Sequence, residues 1–133
     1  MSYETAHNTI RTHFGTQIED AQSVYVLYDN VEDGHPADTK WVRMSILDGE
    51  AFQSEIGASP KFRHPGIMEV QVFVPVHEGD KTALTLADQI VTAFRRTTIS
   101  GSVVFRTPSV LTVGSTGGKW WQVNVTCPFY FTV

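Results

Sequence analysis

The chain has 133 residues, a formal net charge of −4 and one cysteine, Cys127. That length makes one ordinary domain, residues 1–133, able to hide roughly two-thirds of its unfolded surface without staples, and a lone cysteine rules out an internal disulfide framework. Interspersed charges argue against the basic stripe of a sequence-specific nucleic-acid module, and no apolar run nears the ~18 residues of a membrane span, so the expectation is a protein made in a cytoplasm with no membrane partner.

In chain order, Ser2 is placed to cap a first helix with Tyr3, Ala6, Ile10 and Phe14 on one face and Gly15 as its stop. Residues 16–22 then connect to a short strand at 24–28, and residues 29–38 form a polar, turn-rich loop. A second strand is expected over 40–47, with Val42, Met44 and Ile46 on one face and Arg43 and Ser45 on the other. Asp48-Gly49 marks a turn, and residues 51–56 are able to pair back as a third strand. Residues 57–66 hold two prolines and two glycines, which suits a mobile loop better than a ladder.

Residues 67–76 carry the strongest signal. Met68, Val70, Val72, Val74 and Val76 point one way while Glu69 and Gln71 point the other, the period-2 pattern of a half-buried strand. Asp80 is a suitable N-cap for a helix over 81–96. Its dry stripe is Ala83, Leu84, Ala87, Ile90, Val91 and Phe94, and its wet stripe is Lys81, Thr85, Asp88, Thr92 and Arg95. Arg95 and Arg96 are expected in its last turn, complementing the dipole. The simplest packing lays the dry stripe on the valine face.

Residues 97–101 turn into a short strand at 102–106, which Pro108 breaks. A strand at 110–113 enters a hairpin with its tip at 114–118. The return strand alternates Trp121, Val123, Val125, Cys127, Phe129 and Phe131 against Gln122, Asn124, Thr126 and Thr132, and Pro128 suggests an edge or a bulge. The order α-β-β-β-β-α-β-β-β predicts an α+β domain, a largely antiparallel (mixed) β-sheet with two helices packed on one face.

Recognisable site chemistry is sparse. Gly117-Gly118-Lys119 lacks the following Ser or Thr and the upstream glycine of a phosphate loop, so a hairpin tip explains it better. Gly114-Ser115-Thr116-Gly117 lacks nucleophile-elbow spacing. His7 and His13 lie about 240° apart around a helix, and His64 and His77 converge only if the loop folds back, so surface or interface roles are favoured over metal ligation. Cys127 on an apolar strand face reads as packing, and no paired carboxylates are evident. The expectation is no catalytic residue, no metal and no cofactor.

Contact residues are easier to nominate. Trp120 and Trp121 face opposite sides of their strand, so Trp121 can enter the core, while Trp120 is either a half-buried ring covering a loop or a contact anchor. Arg43 beside Glu69 and Gln71 predicts a polar sheet face with cross-strand pairs. Lys61, Phe62 and Arg63 are a basic-aromatic set in the mobile loop, expected to order against a neighbour. Arg43, Lys61, Phe62, Arg63, Glu69, Gln71 and Trp120 are therefore the candidate subunit or partner interface.

Trp41-Val42-Arg43, Gly66 through Val74-Pro75, Leu86-Ala87-Asp88, Phe94 and residues 120–131 together resemble the tail terminator proteins of long, non-contractile-tailed bacteriophages. The likeness spans most of the chain, in strand and core positions that speak to fold more than activity. It implies a structural virion protein that assembles as a hexameric ring on the tail tube, stops polymerisation of the major tail tube protein and offers the surface to which the head attaches. Its implied partners are itself, the major tail tube protein and head–tail connector proteins, and its implied place is the virion tail. The alternatives are a head–tail connector or another minor tail-completion protein. A small cytoplasmic enzyme would need a polar cluster in a pocket, and a nucleic-acid module would need a basic patch.

Overall fold

The computed structural model describes residues 2–58, 60–115 and 118–132. Helix α1 (Tyr3–Phe14) starts where expected: the Ser2 hydroxyl accepts the Thr5 backbone N–H at 3.1 Å. Gly15 does not stop it. Its backbone stays right-handed at φ −58°, ψ −47°, and the chain continues as a π-helical turn over Gly15–Asp20. The wider turn keeps Ile10, Phe14 and Ile18, spaced by four, on the core side with no exposed surface. Helical geometry ends by Ser23, whose φ is 51°.

Eight strands follow: β1 (Tyr25–Leu27), β2 (Trp41–Asp48), β3 (Phe52–Gln53), β4 (Phe62–Pro75), β5 (Thr98–Ile99), β6 (Val103–Phe105), β7 (Ser109–Ser115) and β8 (Trp120–Thr132), with helix α2 (Lys81–Phe94) between β4 and β5. They form one sheet in the order β1-β2-β4-β8-β6-β5, with β3 added to β4 and β7 to β8. The β1–β2 pair is parallel and the others antiparallel. This is the expected α+β mixed sheet, with β5 inside what the sequence reads as a turn. The third strand is shorter than 51–56 and pairs with Phe62 and Arg63 rather than back onto β2.

Residues 62–66, expected in a mobile loop, are the first part of β4, which pairs with β8 from Arg63↔Thr132 to Pro75↔Trp120. Gly66 is required by close approach. A Cβ there would lie 2.5 Å from Phe129 Cζ and 3.0 Å from the Leu47 carbonyl oxygen. Pro65 fits because the Gly49 N–H donates to its carbonyl at 2.9 Å. Its missing N–H faces the same side, in the break where β4 changes neighbour from β3 to β2. Pro128 repeats the device. Its carbonyl accepts the Arg106 N–H at 2.9 Å, between the end of β7 pairing at Thr126 and the start of β6 pairing at Phe129. It therefore sits in an interior strand, at neither an outer edge nor a bulge. The bulge lies in β7, between Thr112 and Gly114.

The predicted face is the core. Met68, Val70, Val72 and Val74 lie level with Val42, Met44 and Ile46 on one side and Val123, Val125 and Cys127 on the other, all buried. Val76 falls beyond the strand, half-buried. Ala83, Leu86, Ala87, Ile90 and Phe94 of α2 lie on these residues with Ala6, Ile10 and Phe14 of α1. Each fully buried Val, Ile or Phe contributes about 1.5–3 kcal/mol of transfer free energy. Desolvation pushes the Cys127 thiol up to about 12, which leaves it an inert packing group. Asp80 occupies the N-cap of α2 without a side-chain capping bond. Arg95 is already extended and Arg96 has φ 52°, so neither belongs to the last turn. In the β7–β8 hairpin, Thr116 and Gly117 lie outside the described residues, as does Ser59 of the predicted loop.

Candidate interaction face

Both helices pack on one side of the sheet, so the other side lacks a helical cover. Strand alternation delivers Trp41, Arg43, Ser45 and Leu47 from β2, Ile67, Glu69, Gln71 and Phe73 from β4, and Gln122, Asn124, Thr126, Pro128 and Tyr130 from β8. Arg43 lies opposite Gln71 and Ser45 opposite Glu69, as expected, and Gln71 and Glu69 face Asn124 and Thr126 in turn. Gln122 Nε2 donates to Asn124 Oδ1 at 2.8 Å. Among the described residues, Arg43 and Glu69 join no ion pair.

One end of this face is an aromatic stack that periodicity does not foretell. The Trp41 ring lies between His35, at 4.1 Å and 15°, and Phe73, at 4.3 Å and 15°. Trp120 meets Trp41 edge-on at 6.0 Å, with Lys119 Nζ 5.4 Å over its own ring. Trp41 is thus 3% exposed although it shares a face with Arg43. The lid is the segment 28–40. The Gly34 N–H donates to the Tyr25 hydroxyl at 3.1 Å, and Asp33 Oδ1 accepts the His35 backbone N–H at 3.0 Å and approaches His35 Nδ1 at 2.6 Å. Those bonds hold the Asp33 carboxyl below its ordinary range, the backbone N–H contributing most. Trp120, expected either as a half-buried ring or as a contact anchor, is half-buried here; Trp121 packs on the core as expected.

The opposite end is a groove of about 480 Å³ crossing β2, β4 and β8. Tyr130 sits between two guanidiniums: Arg63 Cζ lies 4.2 Å and Arg106 Cζ 5.2 Å from its ring centre. Leu47, Phe52, Ile67, Pro65 and Pro128 make the walls, and Leu47 and Phe52 are 54% and 50% exposed. Among the described residues, the buried Arg63 Nε has no acceptor. Of the predicted basic-aromatic set, Phe62 and Arg63 belong to β4, while Lys61 precedes it with Nζ 4.0 Å from Glu55 Oε1. Sequence reasoning missed Arg106 and Tyr130. The available signal was the alternation of β8, which puts Tyr130 on the face opposite Phe129 and Phe131.

Metal or acid–base chemistry has little to build on. His7 bonds Asp48 at 3.0 Å, His13 Nε2 the Ala93 carbonyl at 3.2 Å and His64 the Tyr3 hydroxyl at 2.9 Å. No group of three metal-ligating side chains occurs among the described residues. A second hollow, about 510 Å³, lies between Val76–Asp80 and Trp121. Among the described residues its His77, Asp80 and Ser115 share no hydrogen bond. No helix among the described residues is long and apolar enough to cross a membrane.

The model of a family described as phage tail terminator protein matches residues 7–129. A solved structure 17% identical in sequence superposes with a TM-score of 0.67 over 94% of each chain, a likeness of fold alone. No curated protein matches.

Proposed function

This chain belongs to the phage tail terminator family, a family of structural tail proteins, and on that premise we propose that it caps the tail tube as a homo-oligomeric ring. In this reading one ring face binds the last layer of the major tail tube protein and the other denies the next tube subunit a matching surface. The capped end then becomes the site at which head–tail connector proteins attach. The family match along nearly the whole chain carries the proposal.

The physical features are consistent with it. A cap needs extended contact surfaces and no turnover. The open sheet face offers Tyr, Trp and Arg side chains, the types enriched at interface centres. By strand alternation Arg43, Arg63, Glu69, Gln71 and Trp120 belong to that face, Phe62 belongs to the other side of β4 and Lys61 precedes the strand; all seven are proposed as subunit or partner contacts. The test is a phage lacking this gene. Overlong or irregular headless tails, corrected by the purified protein, are expected. Tails of normal length that only fail to join heads would make the protein a connector instead.

A further inference from the structure

We propose that the Arg63–Tyr130–Arg106 groove receives the acidic segment 29–38 of a second copy of this chain, Val31 entering the apolar walls while Glu32 meets the guanidiniums. The proposal rests on the ring reading above and gives that ring a specific joint.

The groove lacks its natural complement. Both guanidiniums lie over the same ring, yet no carboxylate comes within 4.0 Å of either among the described residues. Asp48, in the groove wall, is already engaged by His7 at 3.0 and 3.1 Å. Among the described residues the buried Arg63 Nε has no acceptor, and a buried donor left unpaired is costly. An arriving carboxylate would pair with the guanidinium forks, whose planar geometry suits such pairing. The walls demand an apolar side chain beside that acid.

The chain itself carries such a segment. Residues 29–38 contain Asp29, Glu32, Asp33 and Asp38 and no lysine or arginine. Asp29 Oδ2 is held by the Ile46 N–H at 3.2 Å and Asp33 is held by His35. Glu32 has no partner among the described residues, and its neighbour Val31 is 56% exposed. Among the described residues, an apolar residue beside an unpaired acid faces outward on one copy, and an apolar groove with two unpaired guanidiniums waits on another.

The two surfaces are unlike patches of one molecule. The acidic segment joins β1 to β2 at one edge of the sheet and is pinned there by Gly34 and His35, whereas Arg106 follows β6 near the other edge. The joint is therefore between unlike patches, and repeating it gives a head-to-tail series that closes into a ring when the rotation per step divides a full turn.

A short bis-maleimide cross-linker tests this on the purified protein and on assembled tails, with Cys127 buried and silent. The Glu32→Cys/Arg106→Cys variant should give a ladder of multimers ending in one closed species. Each single variant alone should give no multimer, and an equal mixture of the two should stop at dimers. Dimers from either single variant alone would show like-to-like contact and overturn the proposal. No ladder on tails that are still correctly terminated would overturn this joint and leave the ring reading standing; no ladder together with failed termination by the wild type would overturn the ring reading as well. Separately, Arg106→Glu should cut cross-linking of the ring by at least tenfold, read with a lysine-directed reagent, and adding Glu32→Arg should restore it. Loss without restoration would also count against the joint.

Discussion

Gly66→Ala isolates the contact that holds β4 against β8. The new Cβ would stand 2.5 Å from Phe129 Cζ, 2.9 Å from Cε1 and 3.0 Å from the Leu47 carbonyl oxygen. The ring has little room to retreat, because Phe129 is buried and tilted against Phe105 at 5.5 Å. Overpacking of this kind costs about 1–3 kcal/mol. The opposing gain, from a stiffer unfolded chain, is about 0.4–1 kcal/mol, so the steric term wins by about 1.3 kcal/mol at mid-range and by about 2.6 kcal/mol at most. With an unfolding entropy near 2.1 cal/mol/K per residue, that lowers Tm by about 5 °C at mid-range and by about 9 °C at most. Calorimetry against Gly118→Ala, where among the described residues no atom beyond the chain neighbours lies within 4 Å of the added Cβ, separates crowding from the general effect of losing a glycine. In a Phe129→Leu background the penalty should shrink, giving a coupling of roughly 0.5 kcal/mol or more. A Gly66→Ala protein that melts at or above the wild-type temperature would refute the packing argument.

Val72→Asp puts a charge where no surface is exposed and should cost several kcal/mol, a large share of a stability of roughly 5–15 kcal/mol. An unchanged melt would mean that the strand presents its other face. Cys127 should resist maleimide at pH 8 in the native protein and react at once in denaturant, since burial keeps its thiol protonated; rapid native labelling would contradict the packing of β8. Asp33 has a folded pKa below its unfolded value of about 3.9. Its bonds to His35 therefore add stability above that value, which is lost as pH falls through the folded pKa. Trp41 emission should shift on acidification below about pH 4, and Asp33→Asn should remove that transition; an acid response identical in both proteins would break the link between Asp33 and the stack.

The core was legible because alternation and helical periodicity record which side of an element is dry. Met68 to Val74 and Val123 to Phe131 fall where the pattern puts them, as do Ala83, Ala87, Ile90 and Phe94 of α2, whereas Leu86 is buried in place of the predicted Leu84 and Val91, which are half-buried at its flanks. Pro65, Gly66 and Pro128 misled for a common reason. Their composition speaks for a loop or an edge, yet each is tolerated by a neighbour distant in sequence: a change of partner strand for the prolines, and the Phe129 ring for the glycine. Gly15 failed as a stop because Ile18, a residue beyond it, gains a core position if the helix continues. The contact face was half legible. Register predicts Arg43 opposite Gln71, but the burial of Trp41 depends on His35 returning from a polar segment, and the pairing of Arg63 with Arg106 over Tyr130 is set by sheet order alone.

The parallel pair β1–β2 sets a rule for variation in this chain. Two parallel neighbours cannot be joined by a tight hairpin, because the chain must travel back the length of a strand before it can begin the next. Here the helix-covered side is already filled, and segment 28–40 makes the return over the open side, across Trp41. Its length is accordingly a requirement of topology, whereas the link from β3 to β4 is an ordinary antiparallel connection. Deletions in 28–40 should be far less tolerated by the fold than deletions in 54–58, while substitutions at its outward positions leave the sheet intact. Such a segment can drift in chemistry while staying fixed in reach, which suits it to matching a changing neighbour without disturbing the sheet beneath.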